Sequence, residues 1–451
     1  MKKIIRKLWP LLFFLPFVLG VVGYLTAGEA LTDALYASFL LYLTNPVSDA
    51  YNGLIEVARW AAPLATATAV LSVVGSLCSD LVWRLRCLFR DSVAVYADRP
   101  VQVAFDKDTQ AIYPGDRCKG YARSHILLFS TDRQNLEFYA ENRDKLRGKA
   151  VYIGLRELQP ALLRDLDGAL PFDVNGAVAR ILWQQVALWR WNRPALEIVL
   201  YGNSLLTRQI LCTGLLVNLF SPDQQLTYRV ISTDDGFRVQ HPDLPLMNGD
   251  RILWEDGLSA ESWQAVRRAD LVILADSLGA DLLQTFAVSA GGPVYYYAPL
   301  AGDPGSYLDF GALHPFGREE EILTDDNIRR QNLVRDAIAL DRRYAESTGQ
   351  KADWAHLSGF LKDSNISAAD FNRVLAQLPA ALGEEAMAEL EHIRWCRFHL
   401  LHYWKPGIPA DGSRKDARLR IHRDLVPYAE LPESEKKKDR AVVKQARSGK
   451  G

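Results

Sequence analysis

The chain has 451 residues, 49% of them hydrophobic, and its 53 Lys and Arg against 54 Asp and Glu leave a net charge of -1. That length allows two or three soluble domains besides a membrane part, and the balanced charge argues against a nucleic-acid partner. Five scattered cysteines (Cys78, Cys87, Cys118, Cys212 and Cys396) lack metal-ligand spacing and suit a reducing compartment.

Two uncharged runs stand near the N-terminus, Leu8 to Gly28 and Trp60 to Ser79. Each is about 20 residues, enough helix to cross a hydrocarbon core of about 30 Å, and neither shows a polar face. Lys2, Lys3, Arg6 and Lys7 precede the first run, and Arg84, Arg86 and Arg90 follow the second. The connector carries Glu29, Asp33, Asp49 and Glu56 with Arg59 as its only base. The positive-inside rule then predicts a two-span α-helical hairpin with both termini cytoplasmic, as in a bacterial inner membrane. A cleaved signal peptide is the alternative for the first run, but no small-x-small site closes it.

Within the connector, Leu31, Leu35, Phe39 and Leu40 recur at helical spacing before Asn45 and Pro46 break the pattern. A re-entrant pore helix and a short helix packing the two spans both fit. The stretch LTNPVSDAYN contains no glycine, so it is no stacked-carbonyl potassium filter.

From Asp91 the patterns alternate. SVAVYA and HILLFS read as buried strands, NLEFYAENRDKL as an amphipathic helix and KAVYIGL as the next strand. From Pro194 the alternation repeats: LEIVLYGNSLLTRQIL is strand, turn and helix, followed by strands at LTYRVIST, RADLVILAD and GGPVYYYAP. Strands separated by helices predict parallel sheets of Rossmann type. The phosphate-binding glycines are degenerate in both copies. Ala97 and Asp98 follow the first strand, and the second turn keeps Gly202 alone, with Ser204 and Thr207 at the other two places. That turn is either structural or a remnant nucleotide site of Gly202, Asn203 and Ser204 at a helix N-terminus with Asp234 on a ribose. Residues 91 to 310 resemble the TrkA-N or RCK family, Rossmann-fold regulatory domains of potassium channels and transporters. The resemblance implies paired domains that oligomerise beneath a pore, as a dimer or tetramer.

Asp325 to Arg343 reads as a charged helical connector, and beyond Lys351 the chain turns all-helical. WAHLSGFLKDSNISAADFNRVLAQL suggests two helices broken at KDSN, with Ser367 capping the second. EEAMAELEHIRWCRFHLLHYW is one helix. Ala386, Leu390, Ile393, Arg397 and Leu401 fall on one stripe, and His392, Trp395, His399 and His402 on another. Ser364 and Asn365, then Glu391, His392, Arg394 and Trp395, then the tail His422, Leu425, Pro427, Tyr428, Leu431, Lys436, Asp439 and Arg440 resemble the ryanodine-receptor repeat, the RyR domain. At the helix exit that family carries Gly-Trp, where this chain has His402, Tyr403 and Trp404.

Trp395 offers a flat face for a purine, while Lys362, Arg394, Lys437 and Arg440 offer charge for phosphates. Ser364, Asn365 and His392 can bond a base or ribose edge. The competing reading is structural, with Trp395 in the core, Glu391 paired to Arg394 and KKKDR on a solvated face. The clustered histidines lack the partners of a metal site.

The expected architecture is therefore a membrane hairpin (1–90), two Rossmann-like domains (91–193 and 194–320), a helical connector (321–349), an all-α RyR domain (350–445) and a tail (446–451). The expected function is a ligand-gated channel or membrane effector in which the RyR domain senses a small ligand, such as a nucleotide second messenger in antiviral defence, and the Rossmann pair couples it to the membrane element. A membrane-anchored nucleotide-dependent enzyme and a non-conducting scaffold are the alternatives. The enzyme reading lacks both an intact glycine turn and a positioned base.

Overall fold

The structure, a computed structural model, describes residues 2–45, 47–89, 91–300, 302–349 and 351–448. The side chains of Lys2, Lys3, Arg6, Lys7 and Arg86, together with Pro46 and Arg90, lie outside the described residues. The chain divides into two compact units, Met1–Arg90 and Asp91–Gly451.

In the first unit, α1 (Lys2–Thr26), α2 (Leu31–Leu40) with a 3-10 turn (Leu41–Leu43), and α3 (Gly53–Phe89) pack on one another. Asn52 begins α3 by accepting the Ile55 N–H at 2.9 Å, and its amide donates to the Gly23 carbonyl at 2.7 Å. Close approach is made possible by small residues. A Cβ on Gly20 would stand 2.8 Å from Ser38 Oγ, and one on Gly23 would stand 2.8 Å from Ile55 Cγ1. Ala34, Ala37, Ala58 and Ala62 fill the interior around Tyr24. The large apolar side chains point outward, with Leu64 65% and Leu71 69% exposed. Among the described residues one helix, Gly53–Gly75, is long and apolar enough to cross a membrane, while Phe13–Thr26 and Leu31–Leu43 are shorter. The expected second span is thus not shown. The connector packs on both neighbours, α2 on α1 and the 3-10 turn on α3, where the Thr66 hydroxyl donates to the Tyr42 carbonyl at 3.2 Å.

The second unit holds two parallel sheets. The first comprises β1 (Asp91–Tyr96), β2 (Thr109–Ile112), β3 (Ser124–Leu127), β4 (Ala150–Leu155) and β5 (Leu170–Asp173), in the order β2-β1-β3-β4-β5. Its helices are α4 (Asp132–Glu141), α5 (Arg143–Leu146) and α6 (Val174–Val186). The second comprises β6 (Ala195–Tyr201), β7 (Gln225–Ile231), β8 (Arg251–Glu255), β9 (Leu271–Leu274), β10 (Val294–Tyr297) and β11 (Leu313–Phe316). Its order, β11-β10-β9-β6-β7-β8, is the doubly wound dinucleotide-fold order. The helices are α7 (Leu205–Val217), α8 (Gly236–Gln240), α9 (Ala260–Arg268) and α10 (Ala280–Ser289). Central strands such as LVIL of β9 are buried along their whole length, as a sheet covered on both faces requires.

The two sheets are clasped twice. Trp183 of α6 donates from its indole to the Ile210 carbonyl of α7 at 2.9 Å, and Gly214 leaves room for its ring. After β11 the chain returns to the first sheet through α11 (Glu319–Ile322) and α12 (Asp325–Ile328). There Ala104 bridges Thr324, Glu319 meets Arg99, and Arg329 joins Asp325 to Asp91.

The C-terminal part consists of α13 (Asn332–Thr348), α14 (Gly359–Leu375), α15 (Glu384–Leu401) and α16 (Glu433–Ser448). Three two-residue strands accompany them, β12 (Lys405–Pro406), β13 (Lys415–Asp416) and β14 (Ile421–His422). The break expected at KDSN is absent, because α14 runs unbroken from its cap at Ser358. Polar side chains within it bond to other elements rather than to their own backbone, which removes their helix-breaking effect. Asp363 pairs with His402 at 3.1 Å, and Ser367 accepts from Arg394 at 3.1 Å instead of capping a helix.

Candidate ligand site

Sheets wound in opposite senses from a central pair of strands open a crevice at the strands' carboxyl ends. In the second sheet that point lies between β6 and β9. Gly202, with φ +155°, turns the chain out of β6, and Asn203 and Ser204 lead into α7. The Asn203 N–H, placed for a phosphate, instead donates to the Asp276 carboxylate just beyond β9 at 2.7 Å. Asn203 Oδ1 accepts the Thr233 N–H (2.7 Å) and hydroxyl (2.9 Å), and Ser204 faces Thr207 at 3.4 Å. Asp234 accepts the Gly236 N–H at 3.0 Å. The structure thus brings Gly202, Asn203 and Ser204 to the crevice and leaves Asp234 on the turn into α8. A pyrophosphate does not fit this arrangement, since a fixed anion already holds the N–H group and would repel a second one.

The first sheet repeats the device. Between β1 and β3, Asp98 accepts from the Ser130 hydroxyl at 2.9 Å. Burial pushes that carboxyl up, but the Ser130 bonds and the Arg99 charge outweigh it and hold it below the usual range. Asp132 at the start of α4 accepts three successive N–H groups, from Arg156, Glu157 and Leu158, at 2.7–2.9 Å. Such a run of N–H groups is an anion cradle, here filled by the chain itself.

Open space lies beside β7 and β8. A cleft of about 490 Å³ is lined by Thr233, Asp235, Arg238, Val239, Pro242 and Asp256. Its Arg238–Asp256 pair, at 3.2 Å, is exposed and therefore weak. The short helix α8 forms one wall, and its other side meets the C-terminal part. Tyr403 stacks on His241 with centroids 4.8 Å apart, and the Tyr403 hydroxyl donates to Gln240 at 3.1 Å. Arg420 lies over the Tyr403 ring, and Arg208 over the Phe237 ring.

In the C-terminal part the residues expected to hold a ligand are mostly engaged with other residues of the chain. Arg394 is buried, giving two bonds to Glu391 (2.8 and 2.7 Å) and one to Ser367. His392 is buried with Nε2 on the Val426 carbonyl at 2.8 Å. That bond fixes the N–H on Nε2, so the Nδ1 lone pair of the neutral ring faces Asp439, 3.7 Å away. Burial beside Glu391 raises the Asp439 carboxyl to about 8, while burial lowers His392 despite the Val426 bond. A protonated Asp439 beside a neutral His392 satisfies both.

Trp395 lies against His392, His399 and His422, with centroids at 5.7, 4.0 and 5.0 Å. Burial lowers His399 to about 3 and His422 to about 4, so this cluster is uncharged at neutral pH. Arg440 pairs with Glu385 and Glu433. Asn365 reaches Asp341 at 3.5 Å, Lys362 the Ala355 carbonyl at 3.3 Å, Ser364 is half-buried and Lys437 is exposed. Trp395 and His392 are therefore adjacent, whereas Lys437 and Arg440 sit on α16 turned to solvent or to acids. Among the described residues no group of His, Cys, Asp or Glu could hold a metal ion.

Sequence reasoning missed Asp276. It follows the LVILA run, and a carboxylate at the end of that strand was the available signal. Arg397 was placed on an apolar stripe, with no partner assigned. No family model, curated protein or solved structure matches the chain.

Proposed function

We propose that this chain is a membrane effector, of ligand-gated channel type, in which a cytosolic Rossmann pair and RyR-like helical region sense a small ligand and act on a two-helix membrane element. One observation carries the reading: the first unit is packed inside out for water. Ala34, Ala37, Ser38, Ala58 and Ala62 make up much of its interior, beside Tyr24, Leu41 and Ile55, while many large apolar side chains, among them Phe14, Val57, Leu64 and Leu71, face outward. Water penalises that arrangement at about 25 cal/mol per Å² of exposed apolar surface, and lipid does not.

Ligand sensing is supported by the position of α8, with the open cleft on one side and Tyr403 on the other. A nucleotide second messenger fits the size of the cleft. Two helices cannot enclose a pore, so conduction requires a homo-oligomer.

The test is reconstitution of the full chain in liposomes, with electrical recording across a panel of cyclic and linear nucleotides. Current that depends on one of them supports the reading, and poor potassium selectivity is expected from LTNPVSDAYN. A chain stripped from membranes by alkaline carbonate refutes the membrane placement. Asp33→Cys labelled from outside the cell, with Arg440→Cys protected, is the expected topology, and the reverse pattern overturns it.

A further inference from the structure

One strongly basic, exposed part of the chain is the small sheet that follows α15. Six cations (Lys405, Arg414, Lys415, Arg418, Arg420 and Arg423) fall between 405 and 423, against two acids, Asp411 and Asp416. The local excess of four contrasts with a chain whose net charge is -1.

Some of these charges are spent at home. Arg414 pairs with Asp424 and Glu435, and Arg423 lies 3.5 Å from Asp424. Lys405, Lys415, Arg418 and Arg420 are exposed, and among the described residues no ion pair takes them. Asp416 accepts the N–H groups of Arg418 (2.8 Å) and Leu419 (2.9 Å), so the hairpin's one acid closes the turn between β13 and β14. Arg420 has φ +53°, and its guanidinium donates to the His402 carbonyl at 2.6 Å. The tip is thus held in a defined shape. It presents Leu419, 53% exposed, between two arginines.

We propose that this hairpin docks on an anionic lipid surface, Leu419 entering the headgroup layer while Lys405, Lys415, Arg418 and Arg420 meet lipid phosphates. The proposal rests on the membrane placement of the first unit, which keeps lipid within reach of the rest of the chain. Charge complementarity favours an anionic partner. An exposed leucine flanked by arginines favours an interface with an apolar layer beneath it, which a nucleic-acid backbone lacks.

The test is hydrogen exchange of the full chain in nanodiscs of phosphatidylcholine alone and of phosphatidylcholine mixed with phosphatidylglycerol. Amides of 417–421 are expected to exchange more slowly in the mixed discs, and the difference should vanish in high salt. Each cation removed weakens docking about fivefold, so Lys415→Glu with Arg418→Glu should abolish the protection. Leu419→Ser should reduce it at unchanged charge. Equal exchange in both discs, with the chain held in each, overturns this proposal alone. A chain that enters neither disc overturns the membrane placement and this proposal with it. Protection by an RNA oligonucleotide and not by the mixed discs assigns the surface to nucleic acid and refutes the lipid reading.

Discussion

Replacing Arg397 by Met should be among the most damaging single changes in the second unit, Asp91–Gly451. The Arg397 and Asp250 side chains are both 0% exposed and pair at 2.7 Å. The guanidinium also donates to the carbonyls of Leu246 and Leu215, each at 2.8 Å, and to Asn248 Oδ1 at 2.7 Å. Leu215 lies in the last turn of α7, whose carbonyls have no partner within the helix. Arg397 of α15 therefore caps α7 and fastens the helical part to the second sheet. Met fills much of the volume but leaves Asp250 with only the Leu226 N–H and Gln224 amide. Removing one partner of a buried pair costs about 3–5 kcal/mol. Arg397→Lys keeps the charge but loses the fork of donors, so it should fall between. Arg397→Met with Asp250→Asn should cost less than the sum of the two single changes, since no buried charge is then left alone. Hydrogen exchange of α15 and residues 246–250, with thermal melting in detergent, reads the effect. Arg133→Met, at an exposed pair with Glu137, serves as the control and should leave the melting temperature unchanged. If Arg397→Met behaves like that control, Arg397 is not what joins the two parts.

The pH dependence of α16 should follow Asp439. Its folded carboxyl, raised to about 8 from an ordinary 3.8, binds a proton that the unfolded chain releases, so stability falls as pH rises from about 4 to about 8, by up to about 1.4 kcal/mol per pH unit. Asp439→Asn should flatten that slope in melts between pH 5 and 9, and an unchanged slope would assign the proton elsewhere. Gly214→Ala places a Cβ 2.7 Å from Trp183 Cζ2, and overpacking of this kind should cost about 1–3 kcal/mol in denaturant melts. Trp395→Ala removes the ring packed on His392, His399 and His422 and should cost about 3 kcal/mol. If the helical part is the sensor, the same change should weaken ligand response at least tenfold under conditions where the chain stays folded.

The parallel sheets were legible because their central strands are continuous apolar runs. SVAVY, HILLF and LVILA can sit only where both faces are covered. The edge strands were not legible. TQAI is short and polar, and LPFD and LHPF carry prolines that only an edge tolerates. The helix 359–375 departs from the expected break at KDSN because local propensity treats Asp, Ser and Asn as breakers, whereas Asp341 and His402 give Asn365 and Asp363 tertiary partners. Within the candidate site, the Glu391–Arg394 pair was readable from i,i+3 spacing. Pairings distant in sequence, such as Asn203 with Asp276 and Arg397 with Asp250, depend on topology that no local pattern carries.

The filled anion sites bear on what the Rossmann pair can still do. A dinucleotide fold holds a pyrophosphate by backbone N–H groups at a helix N-terminus, and it can do so only while they are free. Here Asp276 holds the Asn203 N–H, Asp132 holds three N–H groups, and Asp98 lies at the corresponding point of the first sheet. A bound phosphate would have to displace a tethered carboxylate whose effective concentration no free ligand matches. We therefore expect isothermal titration of the full chain with NAD to show no binding below the micromolar range. Asp276→Ala should admit inorganic phosphate or NAD weakly if the carboxylate alone closes the site. If instead the packing of Thr207 against Gly202 also closes it, only Asp276→Ala combined with Thr207→Gly should do so. Sub-micromolar NAD binding by the unaltered chain would refute the argument, because it requires the Asn203 N–H to prefer the ligand over a carboxylate already bonded to it. With those cradles occupied, the open cleft beside α8 is the space left for the ligand proposed above.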